Sequence, residues 1–325
     1  MTPEAAPAVA AAFGLGRPTG PLVPVVYTSQ PTWRLDTTAG RVFVKRVDHT
    51  GWRDELAAAM DLERRARAAG IALPRPVPPV TPTFGYVTDV AGWGTARAYE
   101  WVDGRAATAD DDLAGWLGST LARLHAVARC TTVPAPYWYG LHDEREWRGW
   151  LTAGHDRGLP WAPALRRHLP HLLHASVRIR AAFRDAADHV LTHRDVEPWN
   201  VLVTPSGPLL VDWDTAGPDS AGLELAHAAY DLARHQRTTP DATTFHAVLA
   251  AYREAGGGPV PTGRDALARR LGLHLGRIAE RLRSSLGQQP PGSTDPAAAA
   301  TRATEQLARL PSFTATLTAW ASRIH

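Results

Sequence analysis

Lysine is nearly absent from this chain of 325 residues: of its 35 basic side chains one is a lysine, Lys45, and the rest are arginine. Where arginine has taken over almost everywhere, the surviving lysine marks a place where a compact ammonium works and a planar guanidinium does not. Cysteine is equally scarce. Cys130 alone can form neither an internal disulfide nor a thiolate metal cluster, so a reducing compartment, the cytoplasm, is the expected location. No stretch of about 18 uncharged apolar residues occurs, and the opening MTPEAAPAVAAAFGLG has no basic region, so neither a membrane span nor an export signal is expected. A surplus of charge is missing as well: 35 basic against 32 acidic residues give +3, without the basic patch that a nucleic-acid partner needs. Gly14, Gly16 and Gly20 miss the G-x-G-x-x-G spacing and follow no strand, so they read as a linker and not as a phosphate loop.

What is present is an ordinary globular composition, 44% hydrophobic and 21% charged, with length enough for two domains or one large two-lobed one. Strand-like runs at 22–27, 33–36 and 41–47, the last two separated by Thr37-Thr38-Ala39-Gly40, predict a β-meander. In RVFVKRV the period of two places Phe43, Lys45 and Val47 on one face and Val42, Val44 and Arg46 on the other. The helix formers of 53–69 stop at Gly70, and Glu55, Ala59 and Glu63 recur every fourth residue along them. Strands at 84–90 and 96–102 flank a Gly92-Trp93-Gly94 turn. Beyond Asp103-Gly104 the pattern turns helical, at 112–128, over several Trp- and Arg-rich pieces of 131–190, and at 221–235, 243–255, 264–286 and 297–324. Two short strands at 201–204 and 209–211 interrupt it, and 287–296 reads as an exposed connection.

The sharpest feature is THRDVEPWNVLVTPSGPLLVDWD, residues 192–214, which holds His193, Asp195, Asn200, Asp212 and Asp214. A carboxylate and an amide five residues apart on a loop, with a second carboxylate at the end of the next strand, can converge on one point. Hard oxygen donors of this kind suit Mg²⁺. Asp195 is left to receive or orient the proton of an attacking hydroxyl.

H-R-D-x-x-x-x-N followed by a strand pair and an Asp resembles the catalytic and metal loops of protein-kinase-like enzymes. D-W-D in place of D-F-G, and the short step from Asp195 to Asp212, are similar to the aminoglycoside phosphotransferase family of small-molecule kinases. LGSTLARLHAV at 117–127, YEWVDG at 99–104 and LERRARAAGIALPRP at 62–76 agree with that family, and the resemblance extends over 22–235. It implies an α+β, two-lobed protein-kinase-like fold: a nucleotide-binding N-lobe at 1–102, with a small antiparallel β-sheet and one helix, and a mainly helical C-lobe at 103–325 with the catalytic loop, metal site and acceptor-binding helices. Asp195 would be the catalytic aspartate, His193 its brace, and Asn200 and Asp212 the Mg²⁺ ligands. Lys45 would contact the phosphates of ATP or GTP while paired with a helix carboxylate, Glu63 in preference to Glu55. The base would meet the backbone of Glu100, Trp101 and Val102. The loop YTSQPTW has no glycine, so Ser29, Gln30 or Thr32 would take over the phosphates. Glu197 and Trp199 bring unusual bulk beside Asp195 and, with Asp214, would shape the acceptor pocket; Glu224 would be structural.

The implied reaction is transfer of a γ-phosphoryl group to a hydroxyl of a small molecule, expected to be an antibiotic of nucleoside, macrolide or aminoglycoside type, in resistance or self-protection. No nucleic-acid or membrane partner is expected, and the protein would act as a monomer or homodimer. A metabolic kinase for a sugar, choline-like alcohol or amino alcohol would use the same residues. A non-catalytic nucleotide-binding module would have no need of Lys45, Asp195, Asn200 and Asp212 together. Residues 131–325 hold 21 arginines against 19 acidic side chains, a poor match for a polyamine. Trp138, Trp147, Trp150, Trp161 and Trp199 favour an acceptor with a flat or apolar portion instead. His168, His171 and His174 drift about 60° around a helix per step and straddle Pro170, so no zinc site is expected there.

Overall fold

A computed structural model describes residues 5–25, 31–130, 139–288 and 295–324. Ser29, Gln30, Trp138, the loop expected at 134–136 and most of the 287–296 connection lie outside the described residues. The chain divides into two compact units. One comprises Met1–Trp116, Leu191–Gly217 and His235–Thr238; the other Leu117–Val190, Pro218–Arg234 and Thr239–His325.

The first unit opens with α1 (Ala5–Ala12), β1 (Val23–Pro24), β2 (Thr32–Thr37), β3 (Gly40–Arg46) and α2 (Arg53–Ala68). It continues with β4 (Pro76–Val77), β5 (Thr88–Val90), β6 (Gly94–Glu100) and β7 (Arg105–Ala106). Strands β1 to β6 form one antiparallel sheet in the order β1-β2-β3-β6-β4, with β5 on another stretch of β6. Alternation then sorts the side chains. Val42, Val44, Ala96 and Ala98 pack into a core with Val9 and Phe13 around α1, so Phe43, Lys45, Arg97 and Tyr99 turn to the opposite face. The register sets Phe43 against Tyr99 and Lys45 against Arg97. Helix α2 buries Leu56, Ala59, Met60 and Glu63 and ends where Gly70, at φ 78°, donates its N–H to Arg67 C=O at 2.9 Å. The two-residue strands β4 and β7 are absent from the sequence reading because two residues show no periodicity.

Helix α3 (Ala114–Val127) carries the chain into the second unit, which holds α4 (Glu144–Asp156) and α5 (Ala162–Asp185). After β8 (His189–Thr192) come β9 (Val201–Thr204) and β10 (Gly207–Leu210), a hairpin that pairs through β9 with β7 and therefore groups with the first unit. The segment bearing Asp195 and Asp212, expected with the helical part, thus clusters with the sheet. The chain ends through β11 (Gly217–Ser220), α6 (Ala221–Arg234), α7 (Ala242–Glu254), α8 (Ala268–Ser285) and α9 (Pro296–Ala321). None of the described helices is long and apolar enough to cross a membrane.

Within the second unit Trp147 and Trp161 are wholly buried and Trp150 nearly so. Trp147 and Trp150 meet edge to face at 5.0 Å, and Trp161 Nε1 donates to Ser285 Oγ at 2.9 Å. These three rings are core, which corrects the expectation that they stack on an acceptor: the faces are already covered. Helix α5 runs unbroken through Pro170, and His171 hydrogen-bonds Thr314 Oγ1 at 3.0 Å.

Candidate active site

The loop between β8 and β9 is held by one imidazole. His193, wholly buried, accepts the Asp195 N–H on Nδ1 at 3.2 Å, so its proton sits on Nε2, which donates to Val211 C=O at 3.0 Å. Its ring stands edge-on to Trp213 at 4.7 Å. The loop that presents Asp195 is thereby tied to the strand end that delivers Asp212. Asn200 completes the tie by donating Nδ2 to both the carbonyl and the Oδ2 of Asp195, at 2.8 and 2.7 Å. That leaves Asn200 Oδ1 without a partner among the described residues. Arg194 and Asp212 adopt φ of 67° and 65°, a left-handed backbone that non-glycine residues seldom take and that gathers at functional sites.

Beside this loop lies a cavity of about 310 Å³, lined among others by Phe43, Lys45, Glu63, Arg97, Tyr99 and Asp212. Lys45 Nζ is 2.7 Å from Asp212 Oδ1 and 2.6 Å from Asp214 Oδ2, and Arg97 forms an ion pair with Asp214. Burial draws the Lys45 ammonium down to about 8 even though Asp212 pulls it upward. Burial also raises Asp212, but the charge and hydrogen bond of Lys45 outweigh it and leave the carboxyl below its ordinary range. Glu63 is pushed up to about 7 by burial; it accepts a 3.3 Å hydrogen bond from Tyr99 Oη, and its Oε1 meets no partner among the described residues. The Asp212 carboxylate and Asn200 Oδ1 are hard-oxygen donors of the kind that suit a divalent cation keeping part of its water, and the Lys45 ammonium on the same cavity fits phosphate oxygens.

At the other end of the cavity the sheet has used up two amides. Glu100 N–H donates to Arg75 C=O at 2.8 Å and Trp101 N–H to Arg41 C=O at 3.1 Å, whereas the Val102 N–H meets no acceptor among the described residues. Gly104 follows, so close to β9 that a Cβ would stand 3.2 Å from Thr204 Cγ2 and 3.3 Å from Val203 O.

Several expected residues fall elsewhere. Lys45 pairs with Asp212 and Asp214, not with a helix carboxylate: Glu63 lines the cavity but is turned to Tyr99, and Glu55 is exposed, because four residues overshoot a turn by about 40° and two such steps carry it off the buried face. Asp214, expected at an acceptor, is buried between Lys45 and Arg97. Glu197, expected there too, is 2% exposed, whereas Trp199 is 48% exposed. Thr32 gives its hydroxyl to Val25 C=O at 2.5 Å and has none left for a phosphate. Arg97 is missing from the sequence reading; the signal was a charged residue alternating with Tyr99 in GTARAYE, hidden among the many arginines.

The family model described as the phosphotransferase enzyme family (APH) matches residues 27–257. A spectinomycin phosphotransferase solved with ADP and spectinomycin is 14% identical, with a TM-score of 0.60 over 90% of this chain and 92% of that one. An amicoumacin kinase solved with AMP-PNP and Ca²⁺ is 14% identical, with a TM-score of 0.60 over 93% and 91%. A choline/ethanolamine kinase family protein from Mesorhizobium loti is 17% identical, with a TM-score of 0.58 over 98% of both chains. At such identities the likeness shows the fold, a protein-kinase-like one with an antiparallel sheet followed by a mainly helical remainder. Among curated proteins, the trifolitoxin immunity protein of Rhizobium leguminosarum bv. trifolii is 44% identical over 43 residues, a match that spans 13% of this chain and 16% of that protein.

Proposed function

Because the chain belongs to the phosphotransferase enzyme family, whose chemistry is phosphoryl transfer to a small-molecule hydroxyl, we propose that it moves the terminal phosphoryl group of ATP onto an antibiotic, in resistance or self-protection. The observation that carries this reading is the tie from Asp195 through Asn200 and His193 to Asp212, beside a cavity that holds the chain's one lysine. Asp195, oriented by Asn200, takes the proton of the acceptor hydroxyl as its oxygen bonds to phosphorus and the bond to the ADP oxygen breaks. Lys45 faces the phosphates, and Val102 N–H is the donor for the base edge. Asn200 Oδ1 and Asp212 would hold Mg²⁺, which supplies charge compensation on the transferring group. Fixing these partners in advance is where the rate gain arises.

Trp199, exposed next to Asn200, supports an acceptor with a flat or apolar portion, such as a nucleoside or macrolide. The test is to incubate the protein with ATP, and in parallel GTP, plus Mg²⁺ and a panel of hydroxylated antibiotics, sugars, choline-like alcohols and amino alcohols, and to follow each by mass. Phosphorylation of an antibiotic with ATP is the expected result. Phosphorylation confined to amino alcohols or sugars would make the protein a metabolic kinase instead.

A further inference from the structure

Arg97 has no part in the reaction described above, yet it is 1% exposed on the cavity face of β6, directly across from Lys45 in the β3–β6 register. A guanidinium buried beside an ammonium repels it, and such a pair persists only where carboxylates match the cations. They do: the ion pairs run Asp212, Lys45, Asp214, Arg97 in an unbroken line, two negative and two positive. Take Arg97 away and two carboxylates share one lysine, whose charge is then committed before any phosphate arrives. With Arg97 present, Asp214 has a counter-ion of its own and can tether Lys45 without neutralising it. Arginine suits that post because a guanidinium keeps its proton on burial, whereas an ammonium gives its proton up readily. Glu63, the helix carboxylate on the same cavity, does not do this work, since its hydrogen bond goes to Tyr99.

We infer that Arg97 is a positioning residue for Lys45: by neutralising Asp214 it keeps the lysine beside Asp212 and available to the nucleotide phosphates. The inference rests on the phosphotransfer reading given above. It differs from direct contact between Arg97 and a phosphate, because a residue acting through Asp214 loses its importance once Asp214 carries no charge.

The experiment compares wild type, Arg97→Met, Asp214→Asn and the double variant by calorimetric titration with ADP and with ATP in Mg²⁺, at a temperature where circular dichroism shows all four folded. Lys45 is followed in parallel by labelling lysine with ¹³C at Cε alone, which gives one side-chain resonance because the chain has one lysine. Arg97→Met weakens nucleotide binding roughly ten- to a hundredfold and moves the Lys45 resonance; adding Asp214→Asn recovers most of the loss and brings the resonance back toward its wild-type position. Arg97→Lys retains more affinity than Arg97→Met, and Arg97→Gln takes its place in the cycle should the methionine variant not fold. Losses that simply add in the double variant, or a Lys45 resonance unmoved by Arg97→Met, overturn the role. A wild-type protein that binds neither ATP nor ADP overturns instead the phosphotransfer reading on which it rests.

Discussion

The first unit gathers Lys45, Arg97, Asp212, Asp214 and Glu63 around a cavity, while the second buries Asp219, His227, Asp231, Arg269 and Arg270, none more than 4% exposed. In the second set Arg269 Nε meets Asp219 at 2.8 Å, Arg270 Nε meets Asp231 at 2.9 Å, and His227 Nε2 meets Asp231 at 2.9 Å, with Arg269 also against His227. Burial drags His227 down to about 4, and although burial raises Asp231, its cationic neighbours hold it far below the carboxylate range. Both shifts point away from neutral pH. In the first set Lys45 and Glu63 are held at about 8 and about 7 instead. Buried charge alone therefore does not single out a site; buried charge poised near neutral pH on an open cavity is the better candidate.

Four substitutions test that contrast. Asp195→Ala lowers turnover by about two orders of magnitude or more with little change in nucleotide affinity, as the role proposed for Asp195 at the acceptor requires; steady-state kinetics and ADP titration check it, and near-normal turnover in a folded variant defeats the assignment. Arg269→Met leaves Asp219 buried without its cation and costs about 3–5 kcal/mol of stability, read as a fall in the urea midpoint; a harmless substitution would mean that the second cluster is not structural. Glu63→Gln separates the two clusters by pH. Glu63 is raised in the folded protein, so the stability it contributes is full below its unfolded value near 4.5 and is lost as pH rises through about 7. The glutamine variant lacks that loss, and its stability relative to wild type improves by up to about 3 kcal/mol between pH 4.5 and 8, as urea titrations at several pH values will show. Trp199→Ala has the smallest effect, about 1 kcal/mol or roughly fivefold in KM for a flat acceptor, with no change in the urea midpoint.

How much of this was readable in the sequence depended on how local each signal was. The segment 192–214 carries the candidate residues His193, Asp195, Asn200 and Asp212 in contiguous spacing, and the alternation in RVFVKRV puts Lys45 on the face it occupies. The helices at 221–235 and 243–255 likewise match α6 and α7 within two residues. The partner of Lys45 was another matter, because Asp212 lies 167 residues away in sequence and the choice between it and Glu63 is made by the packing of the sheet against the loop. Arg97 gave no signal against a background of arginine. The tryptophans of the second unit could not be told from binding platforms, since an aromatic ring looks the same in sequence whether its faces meet solvent or other rings.

The amide of Val102 has a consequence for escape from inhibition. Its neighbours at 100 and 101 are tied into the sheet, so a compound that reads this edge of the cavity engages the main chain itself, which every amino acid except proline provides. No codon change to another ordinary residue deletes that contact. Loss of sensitivity to such a compound would arise instead from bulk in the walls, for example at Gly104, where a methyl group already meets β9, or at Leu202, and under the proposed function changes there would crowd ATP as much as they crowd the inhibitor.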